Sequence, residues 1–252
     1  GLMAGATAAL YGASVTIIEK NKRVGRKIMI TGKGRCNLAN NCDVQTFINN
    51  VPVNGRFLYS AINAFTPEDT IEFFESKGLK TKTERGNRVF PASDKSVDVV
   101  DTMHDYAVES GCKIVCDTAN ALILEDGAVI GVKCEENTYY ADSVIICCGG
   151  KSYPLTGSTG DGYTLAKQAG HTIVPLKPSL VPFTSGDKQC KDMQGLALKN
   201  VALRIVDKNS KKTVYSDFGE MLVTHFGMSG PMILSASSHI RDIQPDRYIA
   251  EI

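Results

Sequence analysis

The stretch GLMAGATAALYGASVTIIEKN, residues 1–21, decides how the rest of the chain is read. Leu2, Met3, Ala6, Ala9 and Leu10 fall on one apolar stripe at helical spacing, and Gly12 follows as a stop, so residues 1–11 read as a helix. Residues 14–19, SVTIIE, are rich in β-branched side chains and read as a short strand that ends on an acid. Glu19 lies eighteen residues after Gly1. A dinucleotide-binding unit of Rossmann type runs strand, Gly-rich turn, helix, second strand and then an acid about 20 residues on. In that reading Gly1 is the third glycine of the fingerprint, and Gly5 lets helix and strand backbones approach closely. Glu19 then accepts the hydroxyls of an adenosine ribose and disfavours a 2′-phosphate. The other reading of the same segment is an ordinary helix and strand of an α/β protein.

Downstream of Glu19 the chain turns polar. Gly25, Arg26 and Lys27, then TGKGRCN at 31–37, combine glycines with cations. Glycines allow close backbone approach or positive φ, and exposed N–H groups beside cations suit a diphosphate. A solvated connection is the plainer reading, and residues 20–41 are expected to be mostly loop. Further on, Thr66 as N-cap with Pro67 at the first helical position opens a helix to Lys77, which Gly78 ends. A second helix spans 96–110, closed by Gly111.

Strands are expected at 113–117, 121–124, 129–134 and 142–148, with an Asp126-Gly127 hairpin turn between the second and third. The run SVIICC at 143–148 is continuously apolar, as befits a strand buried on both faces. It ends at Gly149-Gly150, and nine of the residues 149–163 are Gly, Ser or Thr, more than a packed connector needs. A helix from Asp161 to Gln168 follows, so this loop sits where open α/β sheets bind ligands. From Pro175 the texture becomes proline-rich and then β-rich, and two domains are expected, 1–177 and 178–252.

Composition limits the function classes. Hydrophobic residues make up 43% and charged residues 22%, which suits a globular core. A net charge of +1 gives no electrostatic reason to expect nucleic acid, and no apolar run reaches the roughly 18 residues of a membrane span. The expectation is therefore a cytoplasmic protein that takes a small-molecule substrate, with no nucleic acid or membrane partner and no signal for an oligomeric state. Eight cysteines form no CxxC pair, so no metal site is expected. Cys36 and Cys42 are separated by one residue too many for the redox pair of the disulfide reductases, and read as bystanders. For acid–base or substrate contacts the candidates are His225, Tyr153 and Arg88, each weighed against a purely structural role.

Several runs together resemble one bacterial flavoprotein family, which includes aminoacetone oxidase-like and bile-acid enone-reductase-like enzymes. These are EKNKRVGRK at 19–27, TGKGRCN at 31–37, RVFPAS at 88–93, the 149–163 loop, PSLVP at 178–182 and THFGMSGP at 224–231. More distantly the family is similar to the flavin domains of fumarate reductase and glutathione reductase. The resemblance implies an α/β fold: a Rossmann-type FAD-binding domain interrupted by a second, mostly β domain. It implies Glu19 on the adenosine ribose, with Gly1 and Lys20 beside it. Arg26, Lys27, Gly32, Gly34, Arg35, Cys36 and Asn37 then follow the diphosphate toward the flavin, and Gly149, Gly150, Thr159, Gly160, Asp161 and Gly162 lie near the cofactor. It also implies a family chain longer at both ends, so that this stretch lacks a first strand and a last flavin-domain segment and binds FAD weakly on its own.

The activity implied is FAD-dependent hydride transfer with a small organic substrate, either amine oxidation or reduction of a conjugated double bond. The alternatives are a nicotinamide-dependent Rossmann dehydrogenase and a fragment without catalytic activity.

Overall fold

The computed structural model describes residues 1–240 and 243–252. It divides into two units, Gly1–Ile48 with Arg56–Val174, and Asn49–Gly55 with Pro175–Ile252. The boundary expected at residue 178 lies inside the second unit, and the 49–55 excursion had no sequence signal.

The first unit opens with α1 (Leu2–Leu10), β1 (Thr16–Glu19) and α2 (Arg26–Ile30), followed by β2 (Ala39–Asn40). Three short helices come next: α3 (Val44–Asn49), α4 (Tyr59–Ala64) and α5 (Pro67–Ser76). Then follow β3 (Thr81–Glu84), β4 (Arg88–Pro91), α6 (Ser96–Glu109) and β5 (Lys113–Cys116). A hairpin meander of β6 (Ala119–Glu125), β7 (Ala128–Cys134) and β8 (Thr138–Tyr140) leads to α7 (Asp161–Gln168).

Local chemistry explains several of these elements. Thr66 caps α5 in a full capping box, its hydroxyl accepting from the Asp69 N–H while the Asp69 carboxylate accepts from the Thr66 N–H. Asp126 and Gly127 both take positive φ, 49° and 79°, the geometry of a two-residue hairpin turn whose twist matches its strands. β1 and β5 pair in parallel, with Glu19 opposite Cys116. α1 and α6 cover this pair through Ala6, Ala107 and Cys112, and a second core gathers Cys36, Phe74, Leu79, Val99 and Met103.

Residues 20–41 hold the short α2 and β2 within loop, with a tight turn over Thr31–Gly34 whose Gly32 and Lys33 are left-handed. One expectation is corrected. The 142–148 run, expected as a doubly buried strand, forms no ladder among the described residues, and Ile145 is 64% exposed. An apolar run becomes a strand only when a neighbour takes up its N–H and C=O groups. Here β1 pairs with β5 alone, and nothing described pairs with the run.

The second unit is an antiparallel sheet. Its strands are β9 (Phe183–Thr184), β10 (Ala197–Asp207), β11 (Thr213–Thr224), β12 (Gly227–Ser229) and β13 (Tyr248–Glu251), in the order β13-β10-β11-β12-β9. The helix α8 (Gln189–Asp192) is short, and α9 (Pro231–His239) packs Met232, Ile233 and Ala236 on Leu203, Ile205, Met221 and Val223. Among the described residues no helix is long and apolar enough to cross a membrane.

Candidate functional site

β1 and β5 run in parallel and both end at one edge, Glu19 closing one and Cys116 the other. A cleft of about 380 Å³ opens there, lined by Glu19, Asn21, Arg23, Asp101, His104 and Cys116 among others. This is the carboxyl end of the parallel pair, where open α/β sheets place ligands. α1 starts at Gly1, and Gly5 sits so close to β1 that an added Cβ would stand 2.8 Å from Ile17 Cδ1.

Glu19 Oε1 accepts from the Asn21 N–H at 2.9 Å and from Asn21 Nδ2 at 2.7 Å. Asn21 Nδ2 also donates to the Thr156 carbonyl at 3.3 Å, and Arg26 donates to Asn21 Oδ1 at 3.1 Å. Asn21 therefore joins the acid, α2 and the distant Gly-rich loop, a role that sequence reading missed. Its one signal was its position directly after the acid and a lysine. Lys20 adds a second tie, its Nζ donating to Thr159 Oγ1 at 2.7 Å and to Asp161 Oδ2 at 2.5 Å. Thr159 Oγ1 in turn donates to Asp161 Oδ1 at 2.8 Å. The Lys20 ammonium first, and the Thr159 hydroxyl second, hold the Asp161 carboxyl below the usual carboxylate range.

Lys27 makes the third tie, donating to the Ser152 carbonyl and, at 3.1 Å, to Ser152 Oγ. Its Nζ also lies 5.4 Å from the centre of the Tyr153 ring. The structure thus brings the 149–162 loop against residues 20–27. Gly157 has φ 95°, and a Cβ there would stand 2.6 Å from Asn21 Nδ2, so a side chain would push the two loops apart. Gly149 and Gly160 also take positive φ, Gly160 as the N-cap of α7, while Gly150 and Gly162 lie beside Tyr163 Oη and Ile146.

The 31–37 loop is bound inward. Gly32 and Lys33 are both left-handed and Gly34 has φ 85°. The Arg35 guanidinium donates to Asp94 at 2.7 Å and to Glu84 at 2.5 Å, and stacks 4.1 Å from the Phe90 ring. These partners, Glu84 foremost, raise the Arg35 pKa and hold the loop on β3 and β4. Cys36 is buried beside Phe74 and Val99, and burial pushes its thiol up. The Asn37 amide, turned so that its NH₂ donates, reaches the Ala39 and Val89 carbonyls at 2.9 and 3.2 Å.

Asp117, just past β5, is a buried hub that carried no sequence signal. It accepts from the backbone N–H groups of Thr118, Glu136 and Asn137, from Asn137 Nδ2 and from Tyr139 Oη. Burial pushes its carboxyl up, and these hydrogen bonds outweigh that and hold it low.

Arg88 is exposed at the start of β4 and donates to the Arg85 carbonyl at 3.1 Å. His225 belongs to the second unit, exposed with Phe226 at the two-residue turn between β11 and β12. No group of acidic, His and Cys side chains suited to a metal occurs among the described residues.

A parallel strand pair ending at an acid, covered by a glycine-packed helix and faced by a Gly-rich loop, defines the fold class of the Rossmann-type FAD-binding domains. The chain belongs to the HI0933-like protein Rossmann domain family, whose family model matches residues 1–236. It is 31% identical over 229 residues to the 3-dehydro-bile acid delta(4,6)-reductase of Clostridium scindens, covering 90% of this chain and 54% of that one. It is 28% identical over 251 residues to the ribosomal RNA dihydrouridine synthase of Escherichia coli, covering 99% of this chain and 60% of that one. The chain thus spans rather more than half the length of each. The crystal structure of Thermovibrio ammonificans THI4 matches with a TM-score of 0.37 at 16% identity, over 53% of this chain and 43% of that one. A likeness of that size has no bearing on function.

Proposed function

We propose that the protein is an FAD-dependent oxidoreductase that reduces a carbon–carbon double bond conjugated to a carbonyl. The observation that carries the flavin part is the triple tie of the 149–162 loop to the segment following Glu19, through Lys20, Asn21 and Lys27. These ties join the acid-ended strand, the start of α2 and the 149–162 loop into one binding wall.

The residues fit FAD by their chemistry. Glu19 lines the cleft, and Asn21 donates two hydrogen bonds to one of its carboxylate oxygens, which suits ribose hydroxyls at the other. Gly157 leaves space that a Cβ would fill. Arg26 and Lys27 supply positive charge at the start of α2, suited to a diphosphate. Arg35, already paired with two carboxylates, positions the 31–37 loop and does not bind the phosphates itself. The fingerprint assigned to Gly1 and the contacts of Gly149, Gly150 and Thr159–Gly162 belong to the same proposal.

When bound and reduced by a two-electron donor such as a reduced nicotinamide, the flavin supplies a hydride to the β-carbon, and a proton from solvent completes the α-carbon. The names of the two relatives support this acceptor. A 3-dehydro-delta(4,6) bile acid holds double bonds conjugated to a ketone, and making dihydrouridine saturates a double bond conjugated to a carbonyl. A small molecule in a reducing, cytoplasmic compartment is the leading substrate reading, and the free thiols suit that compartment. Uracil in RNA is the second reading, favoured by the match to the synthase along nearly the whole chain.

The test uses the full-length holoprotein, reduced with dithionite under anaerobic conditions and mixed with 2-cyclohexen-1-one, uridine or an RNA transcript. Flavin reoxidation near 450 nm with the enone supports the small-molecule reading, and reoxidation with RNA alone supports the second. Reduction of the oxidised flavin by aminoacetone, with no reaction toward any of the three, overturns both.

A further inference from the structure

Tyr153 stands in a conformation that its own chemistry disfavours. Its φ of 54° and ψ of 65° are left-handed. Among the described residues with positive φ it is the one aromatic; most of the others are Gly, Asn or Asp, which tolerate that region. It also precedes Pro154, and a residue before proline is pushed toward extended backbone. The surroundings over-determine it. The Tyr153 carbonyl accepts from the Thr156 N–H at 2.9 Å and from Thr156 Oγ1 at 2.7 Å, and Lys27 grips Ser152 one residue earlier.

That strain yields no packing in return. Tyr153 is 68% exposed and its neighbour Leu155 89% exposed. The ring meets only the Lys27 ammonium at 5.4 Å among the ring and cation contacts described. Backbone strain that buys no core contact collects where a ligand needs a side chain held in place. An exposed aromatic face with a cation alongside suits a flat, conjugated ring carrying carbonyl oxygens.

We propose that Tyr153 is held in its left-handed turn to present its ring as a stacking face for a planar, carbonyl-bearing conjugated ligand. The flavin carries such a ring, and an enone carries a planar conjugated O=C–C=C face. The inference rests on the proposed flavin function, its cofactor arm on flavin binding and its substrate arm on reduction of the enone.

Three variants of the full-length holoprotein separate function from folding. Tyr153→Phe keeps the ring, Tyr153→Ala keeps the strain without the ring, and Tyr153→Gly loses both. Flavin Kd is read by fluorescence quenching, stability by thermal unfolding, and the half-saturating concentration of 2-cyclohexen-1-one by anaerobic reoxidation of the reduced flavin. Tyr153→Phe should stay near wild type. Tyr153→Ala and Tyr153→Gly should each weaken one ligand about tenfold, the scale of a lost aromatic stack. A rise in the enone concentration locates the ring on the substrate, and a rise in flavin Kd locates it on the cofactor. Tyr153→Gly should melt a few degrees above Tyr153→Ala, because the left-handed penalty has gone. Unchanged binding of both ligands in Tyr153→Ala, or a Tyr153→Gly protein that melts below Tyr153→Ala, overturns the proposal. If wild type fails to reduce the enone, the proposed reaction falls, while the flavin Kd arm still decides Tyr153.

Discussion

Gly25→Ala tests whether the start of α2 depends on a single missing Cβ. Gly25 is the N-cap of α2, with φ 72° and ψ 15°. An ideal Cβ there would lie 2.8 and 2.9 Å from the two γ-methyls of Val100. Val100 is fully buried on α6, and a β-branched side chain in a helix has essentially one rotamer, so it cannot swing aside. Two costs add. Left-handed backbone costs a non-glycine residue about 1–2 kcal/mol. Overpacking a tight site costs about 1–3 kcal/mol more. The sum, roughly 2–5 kcal/mol, is a large share of the about 5–15 kcal/mol that holds a domain. At about 2–4 °C per kcal/mol for a chain of this size, Tm should fall by roughly 4–20 °C.

Gly78→Ala is the control: φ is 84° there but nothing lies within 4 Å of the added Cβ, so only the backbone cost applies. In the double variant Gly25→Ala/Val100→Ala the clash is gone, and a double-mutant cycle should show about 1–3 kcal/mol of favourable coupling. Flavin affinity should fall with Gly25→Ala, since α2 carries Lys27. Thermal and denaturant unfolding of wild type, Gly25→Ala, Val100→Ala, the double variant and Gly78→Ala measures this. A Gly25→Ala cost no larger than that of Gly78→Ala, or coupling under about 0.5 kcal/mol, refutes the packing argument.

Lys20→Met should weaken flavin binding several-fold while lowering stability by less than about 1 kcal/mol, because the Lys20–Asp161 pair is partly exposed and acts by placing a loop; equal losses in both would make the tie purely structural. Asp161 has a lowered pKa in the folded protein, so its contribution is present above the ordinary carboxylate value of about 4 and is lost as pH falls through the lower folded value; the acid limb of a stability profile should shift in Asp161→Asn and stay flat between pH 5 and 8. Tyr215, pushed up to about 12 by burial and then by its bond to Asp217, contributes stability below pH 10 that is lost as pH rises toward 12; ultraviolet titration should find a late phenol that is absent in Tyr215→Phe, beside that of Tyr139, which burial also raises. Cys116 and Cys147 are exposed, while Cys36, Cys112, Cys134 and Cys190 are buried, so mass spectrometry after brief alkylation should find label on the first two well before the other four, with Cys148, exposed but with its thiol pushed up by desolvation and then by Asp161, labelling later than those two.

Elements encoded within a few residues were legible from sequence. The Thr66–Asp69 capping box, the Asp126-Gly127 turn and the α1–β1 segment ending at Glu19 each carry their cause locally. The candidate site was legible only as a set of Gly-rich runs. Nothing in EKN at 19–21 says that Lys20 will meet Asp161, or Asn21 Thr156, more than 130 residues away. Nothing in GKGRC says that Arg35 will be claimed by Glu84 and Asp94, and Asp117 looked like any acid at a strand end.

The 142–148 run marks the limit most clearly. Its composition determines that it is apolar and extended in preference, and sequence alone established that much, together with the acid-ended strand and the Gly-rich runs. Whether the run becomes a strand depends on a partner's N–H and C=O groups, and which cation meets which carboxylate depends on chain closure, across 49 residues for Arg35 and Glu84 and 141 for Lys20 and Asp161. Caps and turns draw their free energy from neighbours in sequence, whereas ladders and ion pairs draw theirs from neighbours in space, and only the tertiary structure decides who those are.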